Sequence, residues 1–537
     1  MLRVIQRLEE ESDLQSGILL DQFLHVRKMD QKLVDIQSLN IAMMRSNNSS
    51  THRVTGTTGF TSPTMTSATL TGNDLTTGIT SSSSTSTISN LSPLVDPREL
   101  DANLLELSLI SQRASLFQGF LHERANEEME KLDDTNDPAT VLDTSSTTES
   151  TTTTTKNATI INVMTGKDRR FYGENGLLTS SGLSKRIKEV MNSFLVIDEY
   201  LLKRSMEKAM ELDNYDASSS QTSTCVDDVF YILKKVMKRS ISTYQPDLVM
   251  ATVQTVLKSV ETGYSQLLQQ RLVNAFSSTD TSSSRLDRAM EQAKISYMVT
   301  LNNLDVSADY TERLIEDMKQ TSRSTIWQDE EHDLIIVDKA LEKLQALSNN
   351  FNRLLQNGME QLLGQTIKPR IRPLFQESYR EVKYVLEEDE YNEADLDEVF
   401  MKRFRHGFDN MINSYRKALT DSNFATLMSM VLDALTLQWE RIVLQTRFNQ
   451  YGSLRFDKDL RSVIQYLSSM TDWFSRDKFT RLNQIATLLN FEEPSEIYHC
   501  WGTKSGPVSW RLTVAEVKKV LSLRLDFDID EVTSLTL

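Results

Sequence analysis

Residues 456–489 read FDKDLRSVIQYLSSMTDWFSRDKFTRLNQIATLL. Phe456, Leu460, Val463, Leu467, Met470 and Phe474 recur at steps of three and four, and Phe479, Leu482, Ile485 and Leu489 repeat the pattern. Such steps gather side chains on one face of an α-helix. A helix with one apolar face buries it only against neighbours, so the stretch predicts a bundle. A turn-rich break from Trp501 to Pro507 follows, and then two more short helical segments.

The rest of the chain extends this reading. Nine prolines and 17 glycines punctuate 537 residues, and no proline falls between Pro246 and Pro369 or between Pro373 and Pro494. Proline breaks helix interiors, so these gaps leave room for long helices. The length exceeds what one core organises. The expected fold class is all-α, an elongated rod of stacked helical bundles with disordered Ser/Thr-rich insertions.

Taken in order, residues 1–45 predict one long helix, with Ile5, Leu8, Ile18, Phe23, Val26, Leu33, Ile36 and Leu39 along an imperfect stripe. Residues 46–93 are Ser, Thr and Gly with few apolar groups, a composition that cannot offset its ordering entropy and predicts disorder. A central bundle is expected over 94–275, interrupted by a second such insertion at about 134–160. In it Pro97, behind Asp96 as N-cap, starts a helix. A further bundle spans 285–419, built from Arg285–Leu301, Ser307–Thr325, Glu330–Leu363 and Gln365–Glu387, and a C-terminal bundle spans 420–537. The acidic run from Glu387 to Glu398 reads as a solvated connector or helix face, or as a surface for a basic partner.

The net charge of −16 argues against nucleic acid as a partner, since backbone binding needs clustered Lys and Arg. It equally disfavours unaided binding to an anionic membrane. Two cysteines, Cys225 and Cys500, are too few for a disulfide framework or a cysteine metal site. No run of about 20 apolar residues suggests a membrane span, and the charged helical start is no signal peptide. Catalytic patterns are wanting too. Gly502 to Gly506 lacks the spacing of a phosphate loop. His499 and Cys500 are adjacent, so they point apart on a helix and lack further ligands. Asp227 and Asp228 sit at a helix start, where they complement the helix dipole. No enzyme, cofactor or metal is expected.

Several runs carry a resemblance. LRFDKDLRSVIQYLSSMTDW, SRDKFTRLNQIATLLN and WGTKSGPVSWRLTVAEVKKVLSLRLDF are similar, nearly in register, to the C-terminus of the subunit 4 family of the conserved oligomeric Golgi complex. VDDVFYILKK (226–235), AKISYMVTLNNLDV (293–306), LLQNGMEQLLGQTIKPRIRP (354–373) and, more weakly, DPRELDANLLELSLISQRASLF (96–117) fit the same family. The family belongs with the helical-rod tethers. The resemblance implies a non-enzymatic subunit in intra-Golgi retrograde vesicle tethering, peripheral on the cytoplasmic face of the Golgi membrane. Its implied partners are sister subunits and Golgi SNAREs with their Sec1/Munc18-type regulator. In the family those SNARE contacts lie largely in an N-terminal part for which the expectation is that this chain has no counterpart. A related tether such as exocyst is the alternative; it should lack VDDVFYILKK and WGTKSGPVSWRL.

The resemblance also implies one charge pair, Arg481 with Glu516, joining two C-terminal segments. Two other arrangements compete. Thr513-x-x-Glu516 fits a capping box that needs no arginine. Arg481 can also pair with Asp477 on its own helix.

Overall fold

The computed structural model describes residues 2–51, 96–134, 182–216, 220–275, 285–324, 331–470, 476–501 and 509–537. The stretches expected to be disordered lie, apart from residues 46–51 and Asp134, outside the described residues. The described residues form an all-α fold, whose one β-type contact is an isolated parallel bridge between Phe448 and Arg524.

In chain order the helices are α1 (Leu2–Val26), α2 (Met29–Thr51), α3 (Pro97–Asp134), α4 (Gly182–Glu211), α5 (Thr224–Ile241), α6 (Pro246–Ser259), α7 (Gln266–Asn274), α8 (Arg285–Ser324), α9 (Glu331–Glu342) and α10 (Gln345–Leu362). Then come α11 (Lys368–Ser378), α12 (Glu388–Asp397), α13 (Val399–Ala418), α14 (Asp421–Val443), α15 (Gln450–Met470), α16 (Thr480–Leu489), α17 (Ile497–Cys500), α18 (Val514–Leu521) and α19 (Ile529–Ser534). They fall into two compact units that are not contiguous in sequence. One comprises Met1–Leu212, Asp228–Gly263 and Arg313–Gln345; the other comprises Asp213–Asp227, Tyr264–Glu312 and Ala346–Leu537.

In the first unit, the single helix predicted over 1–45 is instead two. The chain turns at Arg27 and Lys28, and Lys28 adopts a left-handed φ of 51°. Straight, 45 helical residues would extend about 68 Å. The turn lets Leu20, Met29 and Ile36 enter one core with Leu100, Leu104 and Phe194, and that burial offsets the modest cost of a left-handed lysine. Lys32 clamps the turn's far side to Glu99 at 2.6 Å. The second correction is at the C-terminal end of α2, which runs to Thr51 and so takes in residues 46–51; helix elongation is cooperative and carries past the apolar pattern. The N-terminus of α4 is capped from a distance, because Asp13 of α1 accepts from the amides of Gly182 (2.5 Å) and Leu183 (2.8 Å). Asp198, raised by burial and held against that by Arg239, sits with Arg239 at the junction of α4 and α5.

In the second unit, an aromatic column forms the core. Phe375, Phe400, Phe404, Phe408, Trp439 and Phe456 are each fully buried, and stacked or tilted pairs link Phe400, Phe404 and Phe408 to Trp439. The helix expected over Gln365–Glu387 stops at Ser378. Beyond it, Tyr384 pairs its carbonyl with the Asn449 amide (3.1 Å), and Asn449 bonds both backbone groups of Leu386. These bonds to the start of α15 replace helical ones, and Glu381 turns the chain with a φ of 64°. The acidic run then forms α12, started by a capping box between Glu387 and Glu390. The two segments expected at Arg285–Leu301 and Ser307–Thr325 are one continuous α8, since nothing between Leu301 and Ser307 breaks a helix.

Candidate functional site: an arginine bracketed by two carboxylates

Three helices of the second unit meet at one side chain. Trp439 and Val443 are fully buried, and they aim α14 so that Glu440, between them, lies at the edge of the core. Leu482 and Ile485 fix α16, and Val517, Val520 and Leu521 fix α18. Arg481 therefore projects from the first turn of α16 toward both neighbours. Its Nη2 lies 2.6 Å from Glu440 Oε1 and 2.7 Å from Glu516 Oε1, and its Nε donates to Glu440 Oε2 at 3.0 Å. Its Nη1 donates to the Arg511 carbonyl at 2.8 Å. The Glu440 contact is thus bidentate, the geometry that makes arginine–carboxylate pairs strong.

Glu516 serves two partners at once. While Oε1 accepts from Arg481, Oε2 accepts from the Thr513 amide (2.8 Å) and hydroxyl (3.0 Å), closing the capping box of α18. The pairing and the cap, which compete in the sequence, coexist because each uses its own oxygen. The charges are placed with opposite effects. Glu516 lies in the first turn of its helix, where the dipole favours an anion, whereas Arg481 lies in the first turn of α16, where it disfavours a cation. Two carboxylates outweigh that. Hydrogen bonding from Arg481, and then from Thr513, pulls the Glu516 carboxyl down to about 2. Glu440 and Glu516 hold the arginine above its ordinary range. Arg481 and Glu516 are each about a third exposed, while the Glu440 side chain is 14% exposed.

One turn along α16, Gln484 completes the grip. Its Nε2 donates to the Ser509 carbonyl and its Oε1 accepts from the Arg511 amide, both at 2.9 Å. Lys478 adds a bond to Asp433 of α14 at 2.5 Å. Sequence reading singled out Arg481 and Glu516 but missed Glu440 and Gln484. Their only signal was negative, as polar residues beside the buried positions Trp439 and Ile485.

A second polar hub lies in AKISYMVTLNNLDV. Asn302 is fully buried. Its Nδ2 donates to the carbonyls of Gln221 (2.8 Å) and Ala418 (2.7 Å), and its Oδ1 accepts from the Thr420 amide (3.0 Å) and Asn423 Nδ2 (3.1 Å). Beside it, Asn303 accepts from the Ser223 amide at 3.0 Å. Neither constellation presents a nucleophile with a base. Among the described residues no group of three or more His, Cys, Asp or Glu side chains could hold a metal ion. The Cys500 thiol is raised by burial and lies 3.5 Å from the Ile497 carbonyl.

Comparison with known proteins assigns the chain. The family described as COG4 transport protein, middle alpha-helical bundle, matches residues 1–272. That described as conserved oligomeric Golgi complex subunit 4, C-terminal, matches residues 297–519. A conserved oligomeric Golgi complex subunit 4 from Pongo abelii is 30% identical over 467 residues, 82% of this chain and 56% of its own length. The Arabidopsis thaliana protein of that name is 32% identical over 361 residues, covering 67% and 48%. The Drosophila melanogaster one is 27% identical over 459 residues, covering 82% and 55%. The chain spans about half the length of these curated relatives. With both its middle and its C-terminal regions matched, it belongs to the conserved oligomeric Golgi complex subunit 4 family.

Proposed function

We propose that the chain acts, without catalysis, as a subunit of the conserved oligomeric Golgi complex, tethering vesicles in intra-Golgi retrograde transport through protein–protein contacts. The observation that carries this reading is the paired family match over residues 1–272 and 297–519. The chemistry available to such a protein is recognition by helix faces. Its partners are the other subunits of the complex, and beyond them Golgi SNAREs with their Sec1/Munc18-type regulator. Attachment to the Golgi is peripheral, on the cytoplasmic face; among the described residues no helix is long and apolar enough to cross a membrane. The Arg481 cluster is structural in this reading. It holds α16 and α18 against α14, so that the terminal helices keep the shape of a partner-facing surface.

Affinity capture of the tagged chain from cells, followed by mass spectrometry, tests the proposal. Recovery of the other subunits of the conserved oligomeric Golgi complex supports it. Recovery of subunits of another tether instead, or of none, overturns it.

A further inference from the structure

The first unit holds a groove of about 520 Å³ between α1, α3 and the start of α4. Its walls are largely apolar, with Ser12, Ser16 and Arg113 the polar members. Leu19 and Phe23 come from α1, Leu109 and Phe117 from α3, and Ile187 from α4. The groove is not a sealed core, since Leu19 is 65% and Leu109 48% exposed. The apolar surface continues along α3, where Leu105, Leu116 and Phe120 are also exposed and recur at helical spacing with Leu109. Isolated exposed apolar residues are ordinary, but a contiguous stripe on two adjacent helices marks an interaction surface. Two ridges with a trough between them fit the ridge of a third helix.

Charge narrows the occupant. Among the described residues, Arg113 is the one charged side chain lining the groove. Of the acids of α1, Asp13 caps α4, Asp21 pairs with Arg186 at 3.2 Å, and Glu9 is buried, so none of them lines the groove. Farther along α3, Arg124 lies over the Phe120 ring at 5.5 Å but is paired with Glu127 at 2.8 Å, which leaves Arg113 as the charge that selects the occupant. We propose that this groove docks an amphipathic helix of another protein, one with a carboxylate beside its apolar stripe to meet Arg113. The inference stands on the groove itself and goes beyond the tethering role.

The probe is a synthetic 20-residue helical peptide with leucines at i, i+4, i+7 and i+11 and glutamates flanking them, titrated with the full chain by fluorescence anisotropy. A twin carries lysines in place of the glutamates. The expected result is micromolar binding of the acidic peptide and at least tenfold weaker binding of the basic one. Arg113→Glu should invert that preference. Leu109→Ser combined with Phe117→Ser should weaken binding at least tenfold. Equal binding of the two peptides, or indifference to Arg113→Glu, overturns the proposal. So does a concentration-dependent dimer that the Leu109 and Phe117 changes abolish, since the occupant is then a second copy. Binding that appears only when residues 135–181 are replaced by a Gly/Ser linker overturns it as well, the occupant then being the chain's own segment. None of these readouts depends on recovering Golgi subunits from cells.

Discussion

Gly452 abuts the backbone of Tyr384. A methyl group on Gly452 would overlap the Tyr384 carbonyl and lie 2.8 Å from its Cα. The start of α15 thereby comes close enough for Asn449 to bond the segment after α11. Gly452→Ala must push two backbones apart, and we expect a loss of about 3 kcal/mol, the upper end for overpacking. Gly119→Ala is the control. Nothing lies within 4 Å of its added Cβ, so it should stabilise by about 0.5–1 kcal/mol through helix propensity. Chemical unfolding of the two variants reads both; equal effects would refute the close contact as the cause.

The bracketed arginine predicts unequal couplings. Glu440 is the more buried and bonds Arg481 twice, so a double-mutant cycle on Arg481→Ala and Glu440→Ala should show about 2 kcal/mol of coupling. The cycle with Glu516→Ala should give about 1 kcal/mol or less, because both partners are a third exposed and screened by water. Additivity in both cycles would remove the cluster from any account of stability.

Acid should weaken the same site. The Glu516 carboxyl titrates at about 2 in the fold, against about 4.3 when unfolded. In that window the unfolded chain binds the extra proton, so stability is present above about 4.3 and is lost as pH falls toward 2. Glu516→Gln should flatten this part of the stability profile between pH 5 and 2. An unchanged slope would show that the carboxylate's partners are not those described.

Asp459 should act in the opposite sense. It is 8% exposed, accepts from the Tyr384 hydroxyl at 2.9 Å, and is raised by burial to about 6. Here the folded state binds the extra proton. Stability is therefore full below about 3.9 and declines as pH rises to about 6, after which it levels. Asp459→Asn keeps an acceptor for Tyr384 and should remove that decline. The check is the difference in unfolding free energy between pH 4.5 and 7, wild type against variant.

Asn302 should be among the least replaceable residues. Asn302→Ala removes the partner of two carbonyls and one amide that are part-buried and of one buried side-chain donor, Asn423 Nδ2. Each unsatisfied group costs about 1–3 kcal/mol, so we expect a loss of at least about 3 kcal/mol, seen as a lowered unfolding midpoint. Asn302→Asp keeps the acceptor only, and should be no better.

Periodicity made most of the second unit legible. Phe456, Leu460, Val463 and Leu467, and Phe479, Leu482, Ile485 and Leu489, are all buried, because one helix face must be covered wherever the steps are three and four. Breaks without Gly or Pro were not legible. Lys28 turns the chain because of what Leu20 and Ile36 pack against, and no local signal encodes that. Partners far apart in sequence were equally hidden. Glu440 reaches Arg481 across 41 residues, and a lone glutamate after a tryptophan announces nothing. Arg481 and Glu516 were readable only through the family resemblance. Asn302 lay inside a run quoted for that resemblance, yet an asparagine on a helix reads as exposed until the segments around it are known.

The four bonds of Asn302 span 81, 116, 118 and 121 residues. At a synthesis rate of about 5–20 residues per second, its last partner follows it from the ribosome by roughly 6–24 s. For that interval the Oδ1 of Asn302 lacks its Thr420 and Asn423 donors. Helix α8 forms early from local bonds but waits for Thr420 and Asn423 before its polar face is satisfied. The nascent chain thus passes through a stage in which a finished helix exposes an unfinished surface, and molecular chaperones act on such a surface.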